Sequence, residues 1–571
     1  MIVQKQNDKI VSFLIAIIAA AIFIPLIGTC ALFDWDEINF AECAREMLMS
    51  KNYTEVQLYY QPFWEKPPLF IWMQALSMHV FGINEFAARF PNAICGIITL
   101  LSLYHFGTRF QSQKFGVVWC LLYVASLLPH FYFKSGIIDP WFNLFIFLSI
   151  VHLYLMTQKV STKSALAAGL FLGLAVLTKG PAAVIIIGLS FIIFLLLNNQ
   201  SKFIFSRHFV LFVCTAILVS STWFIVEILK GHQKIILDFI QYQIRLFQTG
   251  DAGHDGPFFY HFLVLLIGCF PASIFFIQGL RGKPIGQDAK FRKIMLCLFW
   301  VVIILFSVVK TKIIHYSSLC YFPLTYIAAS VFTNHQKLSM PTALKILYWF
   351  LAIVLSLAFV LIGFVDQFKS WLIVNGWIHD KQAILNLQAS GEWNGFEFLI
   401  GFLFLFASWL LFKAYRQNLK QHLIYGLSAF ILFNTLAIAI IVPRIGFYSQ
   451  EAAIEFYKLK AKEDCYVETH AFKSYAQLFY GNRQTSHFSA ADEKSYVKKQ
   501  LDLMEREGHS RSGSFSTAYT LWLENGQIDK PAYIVVKTVE KQQVAKKSHF
   551  KHLYDKNGFS FFVRKVGSTV K

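Results

Sequence analysis

Charge is what this sequence has least of. Asp, Glu, Lys and Arg make up only 15% of its 571 residues, whereas 56% are hydrophobic and the mean hydropathy is +0.50. Soluble globular domains carry about 25% charged residues. The shortage excludes an ordinary soluble protein and predicts a polytopic membrane protein. The 60 phenylalanines agree with that prediction, because aromatic rings can face lipid tails without cost.

Ordered cysteine spacing is also missing. The nine cysteines are an odd number and include no Cys-x-x-Cys pair, so neither a disulfide framework nor a zinc ribbon is predicted. A cleavable leader is not expected either. The first apolar run, Ile10–Leu32, is too long, and Asp34 and Asp36 occupy the place of the small residues that a cleavage site needs. No internal repeat is evident.

The polar segments contain no basic patch interleaved with base-stacking aromatic residues, despite a net charge of +19. This absence argues against a nucleic-acid partner. In a membrane protein, a positive surplus usually belongs to cytoplasmic loops, which face anionic lipids. Membrane lipids are therefore the expected partners of these charges.

Long apolar runs are abundant. A membrane-spanning helix needs about 20 apolar residues, and the sequence contains about thirteen candidate segments by that criterion. The sequence therefore predicts an α-helical polytopic membrane protein. The candidate segments are 11–32, 87–107, 113–130, 137–156, 164–178, 181–197, 208–229, 258–279, 294–309, 313–333, 344–364, 397–413 and 422–442.

The distribution of Lys and Arg predicts the orientation of these segments. Alternate connections are rich in both residues, for example the run from Arg281 to Lys293, and are predicted to be cytoplasmic. The other connections, including a first outer loop at about residues 33–86, are predicted to face outward. The chain after Ser449 is polar with short alternating strands, which predicts a small soluble α/β domain at 449–571 on the outer side, following a membrane domain at 1–448.

Ionisable residues that are not simple cytoplasmic anchors all fall on the predicted outer side. Charges at membrane depth are costly, so several on one face predict a polar cavity. Basic groups there suit a lipid phosphate, and carboxylates suit a general base, a metal ion or sugar hydroxyls. The set comprises Asp36, Glu37, Glu65, Lys66, Asp139, Lys179, Arg245, His254, Lys310, Lys312, His315 and Tyr316.

Each of these residues also has a structural interpretation. Asp36 could cap a helix from Glu37 to Ser50, whose apolar and polar sides suit a position along the membrane surface. Asp139, which precedes a proline, suits a helix start. A single histidine such as His254 is more often structural than a ligand. The observation that favours a common function is that all of these residues are predicted to lie on the same side of the membrane.

Seven motifs, in this order, resemble the polyprenyl-phosphate-sugar-dependent GT-C glycosyltransferases. The chain looks most like the bacterial 4-amino-4-deoxy-L-arabinose lipid A transferases, within the protein O-mannosyltransferase superfamily. The resemblance extends over the whole length, including an outer C-terminal domain. The motifs are DEINFAECAREM (Asp36–Met47), WEKPPLFIW (Trp64–Trp72), FAARFPNAI (Phe86–Ile94), IIDPWFN (Ile137–Asn143), LTKGP (Leu177–Pro181), HDGPFFYH (His254–His261) and KTKIIHYSSLCYFPL (Lys310–Leu324).

The resemblance implies a GT-C fold with amphipathic juxtamembrane helices enclosing the site. It implies an inverting glycosyltransferase of the bacterial inner membrane that takes a sugar from undecaprenyl phosphate on the periplasmic side, without a nucleotide cofactor. The implied roles are catalytic for Asp36 and Asp139; donor-phosphate binding for Lys66, Arg245 and Lys312; binding of a divalent metal ion for Glu65 and His254; and other cavity positions for Glu37, Lys179, Lys310, His315 and Tyr316.

One departure from the family pattern leaves the acceptor open. The arabinose-transferase pattern expects an Arg-Tyr pair where this chain has Asn39 and Phe40. Lipid A or another lipopolysaccharide is the first hypothesis for the acceptor, and a protein or other glycan is the second. A transporter or flippase of polyprenyl-linked sugars is the alternative from another class, although transporters place ionisable groups near the midplane of repeated halves. A polysaccharide polymerase is a third option.

Overall fold

Apolar helices packed side by side form the larger part of the protein. A computed structural model describes residues 2–34, 36–63, 65–248, 256–282, 288–333, 339–488, 491–506 and 511–568. The helices of the first half are α1 (Ile2–Phe23), α2 (Asp36–Ser50), α3 (Leu69–Phe81), α4 (Glu85–Phe110), α5 (Gln113–Ala125), α6 (Leu127–Tyr132), α7 (Asp139–Gln158), α8 (Thr162–Lys179), α9 (Ala182–Leu197), α10 (Arg207–Leu229), α11 (Gln233–Gln248), α12 (Tyr260–Gly268) and α13 (Ala272–Leu280).

The second half of this part continues the same bundle. Among the described residues, short 3₁₀ helices lie at Ser201–Phe205, Ile314–Cys320, Thr485–Phe488 and Thr538–Glu540. The α-helices are α14 (Asp288–Val308), α15 (Tyr321–Thr333), α16 (Thr342–Ile362), α17 (Val365–Val374), α18 (Lys381–Asn386), α19 (Phe398–Gln417) and α20 (Lys420–Phe447).

These helices make the chain a multi-pass membrane protein, as predicted. Among the described residues, 8 helices are long and apolar enough to cross a bilayer, and 9 if the bent pair α12 and α13 forms one span. That pair is bent by 113° at a short break that contains Pro271, which cannot continue a helical hydrogen-bond ladder. The first predicted segment also ends early: α1 stops at Phe23, two residues before Pro25.

Small residues let the central helices approach closely. α8 packs against both α7 and α10, and α16, α19 and α20 form a second packed group. A Cβ atom on Gly169 of α8 would lie 2.5 Å from the backbone oxygen of Phe212 on α10. Such close contacts are typical of helices packed in lipid, where no hydrophobic effect drives association. The packing holds the end of α8, and with it Lys179, at a defined position.

The connection between α1 and α4 is a folded layer on one face of the bundle. It contains α2, α3 and a short antiparallel pair, β1 (Gln57–Leu58) and β2 (Gln61–Pro62). The sequence predicts that α2 lies along the membrane surface with its polar side exposed. The structure differs, because residues 37–47 of α2 are buried. The tail domain covers the side that was expected to face water.

The tail domain is a mixed α/β unit after α20. The predicted boundary at residues 448/449 falls between α20 and α21 (Glu451–Lys460). The remaining elements are β3 (Tyr466–His470), α22 (Ala476–Phe479), α23 (Ala491–Arg506), α24 (Arg511–Asn525), β4 (Ala532–Lys537), α25 (Lys541–Ala545), β5 (Lys551–Lys556) and β6 (Phe559–Arg564).

The four strands of the tail form one sheet in the order β3-β4-β6-β5. β3 pairs with β4 in parallel, and the other neighbours are antiparallel. The buried residues of this sheet belong to the same hydrophobic cluster as Ile38, Ala41 and Met47 of α2. The tail and the first outer loop therefore share one core, which fixes the tail above the bundle face that carries α2.

Candidate functional site

A cavity of about 1100 Å³ lies between the helical bundle and the tail domain. The chain contributes to its walls from several distant segments. The bundle side comes from the start of α2, the loop through Lys66, residues 128–138, Lys179, Thr311 and residues 313–316, and the tail side comes from residues 469–475 and 515–524. The predicted convergence of separate connections on one cavity is thus seen for these segments.

Asp36 is one of the carboxylates that face this cavity. It is the first residue of α2, and its side chain is 41% exposed. Its Oδ2 atom lies 3.3 Å from Nε2 of His315. Burial would raise the pKa of Asp36, but the hydrogen bond and charge of His315, with the charges of Lys66 and Lys179, outweigh it and lower the pKa to about 2. Asp36 is therefore ionised and accessible.

Asp139 lies behind Asp36 and is buried. It begins α7, where Pro140 occupies the first turn and so loses no helical hydrogen bond. The Lys179 ammonium donates a 2.6 Å hydrogen bond to Asp139 Oδ1, and Asp139 Oδ2 lies 3.8 Å from His315 Nε2. Asp139 Oδ2 is buried and makes no hydrogen bond. The pair joins α7 to the end of α8 beneath the cavity.

Two further cavity residues sit on the 3₁₀ helix Ile314–Cys320, directly after α14. His315 lies between the two aspartates, and the ring of Tyr316 lies 5.1 Å from the Lys179 ammonium. A cation over an aromatic face is attracted by the ring quadrupole. Tyr316 therefore helps to hold Lys179 at the cavity wall.

Glu65 and Lys66 line the cavity from the first outer loop. Burial lowers the pKa of Lys66, while the charges of Glu65, Asp36 and Asp139 act in the opposite direction. Lys66 and Lys179 thus supply cations to a space that also holds the Asp36 carboxylate. A site that holds both cations and a carboxylate can bind an anion next to a group whose proton must be removed.

Glu37 reaches the cavity edge, but its carboxylate is occupied inside the protein. It accepts hydrogen bonds of 2.7 and 2.8 Å from the Arg89 guanidinium and further ones from the backbone N–H groups of Phe33 and Gly136. Glu37 and Arg89 are both at most 2% exposed. This arrangement gives Glu37 a structural role in tying α2 to α4.

Lys312 does not occupy the position expected of a phosphate ligand. Its ammonium donates hydrogen bonds of 2.5 to 3.0 Å to the carbonyl oxygens of Phe306, Ser307 and Val309. These carbonyls are at the end of α14, where helical acceptors lack intrahelical partners and a cation is stabilising. Lys312 is 5% exposed and caps this helix instead of lining the cavity.

Of the other predicted residues, Lys310 lies away from the cavity wall, and the side chains of two more lie outside the described part of the structure. Lys310 is exposed and is not among the cavity-lining residues. Arg245 lies on α11, but its side chain is outside the described part of the structure, and His254 lies outside the described residues altogether. Their predicted roles in binding phosphate and metal remain predictions.

Sequence reasoning missed two parts of the site. One is the tail wall, where Lys473, Thr520 and Glu524 line the cavity; no local pattern in a polar tail indicates this placement. The other is Arg89, which the motif FAARFPNAI contains but to which no role was given. A lone arginine at the start of an apolar segment was a usable signal, because buried charges need partners.

Comparison with known proteins agrees with this architecture. Residues 65–225 match the family model of dolichyl-phosphate-mannose-protein mannosyltransferase. Undecaprenyl phosphate-alpha-4-amino-4-deoxy-L-arabinose arabinosyl transferase of Wigglesworthia glossinidia brevipalpis is 27% identical over 359 residues, 60% of this chain and 63% of the relative. The enzyme of the same name from Edwardsiella ictaluri is 29% identical over 322 residues, 54% of this chain and 56% of the relative. Each match spans less than two thirds of the relative.

The solved structures extend the likeness to nearly the whole chain. ArnT from Cupriavidus metallidurans bound to undecaprenyl phosphate superposes with a TM-score of 0.73 at 16% identity, covering 96% of this chain and 97% of ArnT. The apo state of the same protein gives a TM-score of 0.71.

These likenesses define the chain as a polytopic membrane protein with the GT-C fold, as the motifs predict. Within that class, the chain resembles the aminoarabinose arabinosyl transferases named above, and the predicted resemblance is confirmed.

Proposed function

We propose that this protein is an integral-membrane glycosyltransferase that moves a sugar from undecaprenyl phosphate to an acceptor in the described cavity. The observation that carries the proposal is Asp36, an ionised carboxylate exposed to a cavity whose walls also hold Lys66 and Lys179. The names of the similar proteins support a polyprenyl-phosphate donor.

The reaction is a displacement at the anomeric carbon. An acceptor oxygen attacks C1 of the sugar, and the bond from C1 to the carrier phosphate oxygen breaks on the opposite side, which inverts the configuration. Lys66 and Lys179 stabilise the negative charge that grows on the departing phosphate. If the acceptor is a hydroxyl, its proton passes to Asp36; if it is a phosphate, Asp36 orients it.

We place lipid A and other lipopolysaccharides first as the acceptor, because the sequence motifs resemble those of the 4-amino-4-deoxy-L-arabinose lipid A transferases and the similar proteins carry the name of that sugar. A protein or another glycan is the alternative. Asn39 and Phe40, which depart from the arabinose-transferase pattern, both line the cavity. The departure therefore lies where substrate is recognised, and the sugar and acceptor of this chain are to be identified by experiment.

We also propose that the cavity and the tail domain face the periplasm from a bacterial inner membrane. The support is the charge distribution, since the connections on the side away from the cavity are richer in Lys and Arg. A cysteine placed on the tail should be labelled by an impermeant thiol reagent in intact spheroplasts. Labelling that occurs only after lysis would show that the tail lies on the cytoplasmic side.

A divalent metal at Glu65 and His254 is a separate proposal. Glu65 lines the cavity, whereas His254 is outside the described residues. Within the described part of the chain, no group of three or more His, Cys, Asp and Glu side chains could hold an ion, so no reaction step is assigned to a metal. Metal analysis of the purified protein tests the site, and equal metal content in wild type and Glu65→Ala would remove it.

The decisive experiment is mass spectrometry of lipid A and glycan fractions from cells with and without the gene. A mass present only with the gene identifies the transferred sugar and its acceptor together. Purified protein should then release undecaprenyl phosphate from the matching donor when that acceptor is added. Movement of intact donor across liposome membranes, with no cleavage of the sugar–phosphate bond, would show that the protein is a transporter and not an enzyme.

A further inference from the structure

We propose that His315 is a positioning residue of this site: its imidazole ties Asp36 to the buried pair of Asp139 and Lys179, and so sets the orientation of the Asp36 carboxylate toward the acceptor. The proposal rests on the proposed function, because it gives His315 a part in that same reaction. It goes beyond that function because the roles assigned above to Asp36, Lys66 and Lys179 leave His315 without one.

The position of the imidazole between two carboxylates is the first support. Nε2 is 3.3 Å from Asp36 Oδ2 and 3.8 Å from Asp139 Oδ2. Only the shorter separation allows a hydrogen bond, so the Nε2–H group donates to Asp36, and Asp139 lies beyond hydrogen-bond distance. Because this contact uses Oδ2 of Asp36, the other oxygen of the carboxylate is the one that meets the acceptor.

The way in which α7 holds His315 is the second support. Asn143 of α7 donates a 2.7 Å hydrogen bond to the hydroxyl of Ser318, and that hydroxyl donates to the backbone oxygen of His315. Asn143 follows Asp139 by one helical turn, so both side chains project from one side of α7. One helix thus supplies a carboxylate facing the imidazole and an anchor for the turn that carries it.

The surrounding charges explain why Asp36 needs this contact with His315. Asp36 and Asp139 are like charges on two elements that meet at the cavity floor. Lys179 pairs with Asp139, and Lys66 adds a second cation from the first outer loop, so that Asp36 has His315 as its hydrogen-bonded partner. Glu65 on the same loop and Tyr316 beside the imidazole are further titratable groups near this point. Removing the imidazole takes this hydrogen bond away from the Asp36 carboxylate.

The test compares His315→Ala, His315→Gln and wild type, purified in detergent, with the donor and acceptor that the wild type uses. His315→Ala should lower kcat between about tenfold and a hundredfold, since small misplacements of a catalytic group have effects of that order. The KM for donor should stay within about twofold of wild type. His315→Gln keeps an N–H donor and should recover most of kcat.

The pH profile separates positioning from a general structural role. The hydrogen bond and charge of His315 lower the pKa of Asp36. In His315→Ala, the acid limb of kcat/KM should therefore move to higher pH. His79→Gln, at an exposed position near the end of α3, is the matched control and should behave as wild type.

Three outcomes would overturn the proposal. A wild-type kcat and pH profile in His315→Ala would show that Asp36 needs no such partner. A raised donor KM with unchanged kcat would make His315 a donor ligand. A lower Tm for both variants, with kcat and the acid limb unchanged in the folded fraction, would leave only a structural role. In each case wild-type transfer still supports the proposed function, whereas absence of transfer by the wild type would overturn both.

Discussion

Asp36 and Glu37 are neighbours at the start of α2, yet their surroundings are opposite. Asp36 is 41% exposed to the cavity and contacts His315. Glu37 is 2% exposed, and Arg89 and two backbone N–H groups surround its carboxylate. One step along a helix turns the side chain by about 100°, which is enough to place one acid in the cavity and the next inside the protein. Adjacency in sequence therefore says little about shared chemistry.

The later acids of α2 resemble Glu37 and not Asp36. Glu42 binds the Arg45 guanidinium through two hydrogen bonds of 2.7 Å, and Arg45 also donates to the backbone oxygen of Arg483 in the tail. Glu46 accepts hydrogen bonds from the backbone N–H groups of Tyr59 and Tyr60. The acids of α2 thus separate into one residue exposed to the cavity and several that join α2 to α4, the first outer loop and the tail.

The largest effect is expected for Asp36→Asn. The substitution removes the charge and the basic oxygen from the cavity, so transfer should fall by about 10² to 10⁴-fold, the range for loss of a general base. The Tm in detergent should stay close to that of wild type, because Asp36 is partly exposed.

Asp464→Asn is a matched control, since Asp464 forms an exposed ion pair with Lys530 in the tail. It should retain full activity. Normal transfer by Asp36→Asn would show that the reaction does not use Asp36, and Asp36 would then differ from Glu37 in exposure but not in function.

The next largest effect is expected for Glu37→Gln, which should lower the stability of the protein, whereas Asp36→Asn should lower transfer. Removing one charge of a buried ion pair leaves Arg89 uncompensated and costs about 3 to 5 kcal/mol. The yield of folded protein and its Tm should drop, measured by fluorescence-detected chromatography after heating.

Glu455→Gln provides the comparison, because its ion pair with Lys556 is about half exposed. It should leave the Tm unchanged. A Glu37→Gln protein with wild-type Tm but little transfer would move Glu37 into the catalytic group.

Two lysines allow the same contrast among the cations. Lys66→Met should raise the KM for donor by about tenfold to a hundredfold, since a charge-assisted hydrogen bond to phosphate contributes about 1.5 to 3 kcal/mol. Lys312→Met should leave that KM unchanged and lower the Tm, because the capped carbonyls of α14 lose about 1 kcal/mol of stabilisation. Steady-state kinetics and thermal unfolding of both variants are the measurements. If Lys312→Met raised the KM for donor and Lys66→Met only lowered the Tm, Lys312 would be the phosphate ligand.

The smallest effect on transfer is expected at the contact between the tail domain and the first outer loop, where pH should change stability instead. Burial raises the pKa of Glu468 to about 7, although hydrogen bonds from the Thr469 N–H, Tyr59 and Gln477 oppose the shift. A carboxyl with a raised pKa binds its proton more tightly in the folded protein. Its contribution to stability is therefore complete below about pH 4.5 and is lost as the pH rises to about 7, by roughly 3 kcal/mol in total.

Glu468→Gln resembles the protonated side chain and should abolish this dependence. The Tm of wild type should fall between pH 5 and 8 relative to that of the variant, as measured by differential scanning fluorimetry. Parallel curves for the two proteins would show that Glu468 is charged throughout this range.

Much of the architecture was predictable because lipid imposes simple rules on sequence. Apolar runs such as those that became α4, α7 and α20 must be helices, since no other structure satisfies the backbone in a bilayer. The tail strands Ala532–Lys537 and Phe559–Arg564 were readable from alternation. The break between α12 and α13 was not predicted, because Pro271 sits within an otherwise continuous apolar run.

The site was predictable in membership but not in arrangement. Charged residues beside apolar segments identified Asp36, Lys66, Asp139 and Lys179, because unpaired charge at membrane depth is too costly to be accidental. Pattern alone could not show that Lys312 caps α14, since a lysine near a helix end and a lysine in a cavity look alike in sequence.

The sequence by itself determined that this chain spans a membrane, carries a polar tail and gathers ionisable groups at one face. Hydropathy and charge are local properties, so they can be read without knowing which helices meet. Only the tertiary structure decided that Asp36 reaches the cavity while Glu37 pairs with Arg89, that His315 stands between two aspartates, and that the tail domain forms a wall of the cavity. Those facts depend on contacts between distant segments, which packing geometry sets and local composition does not.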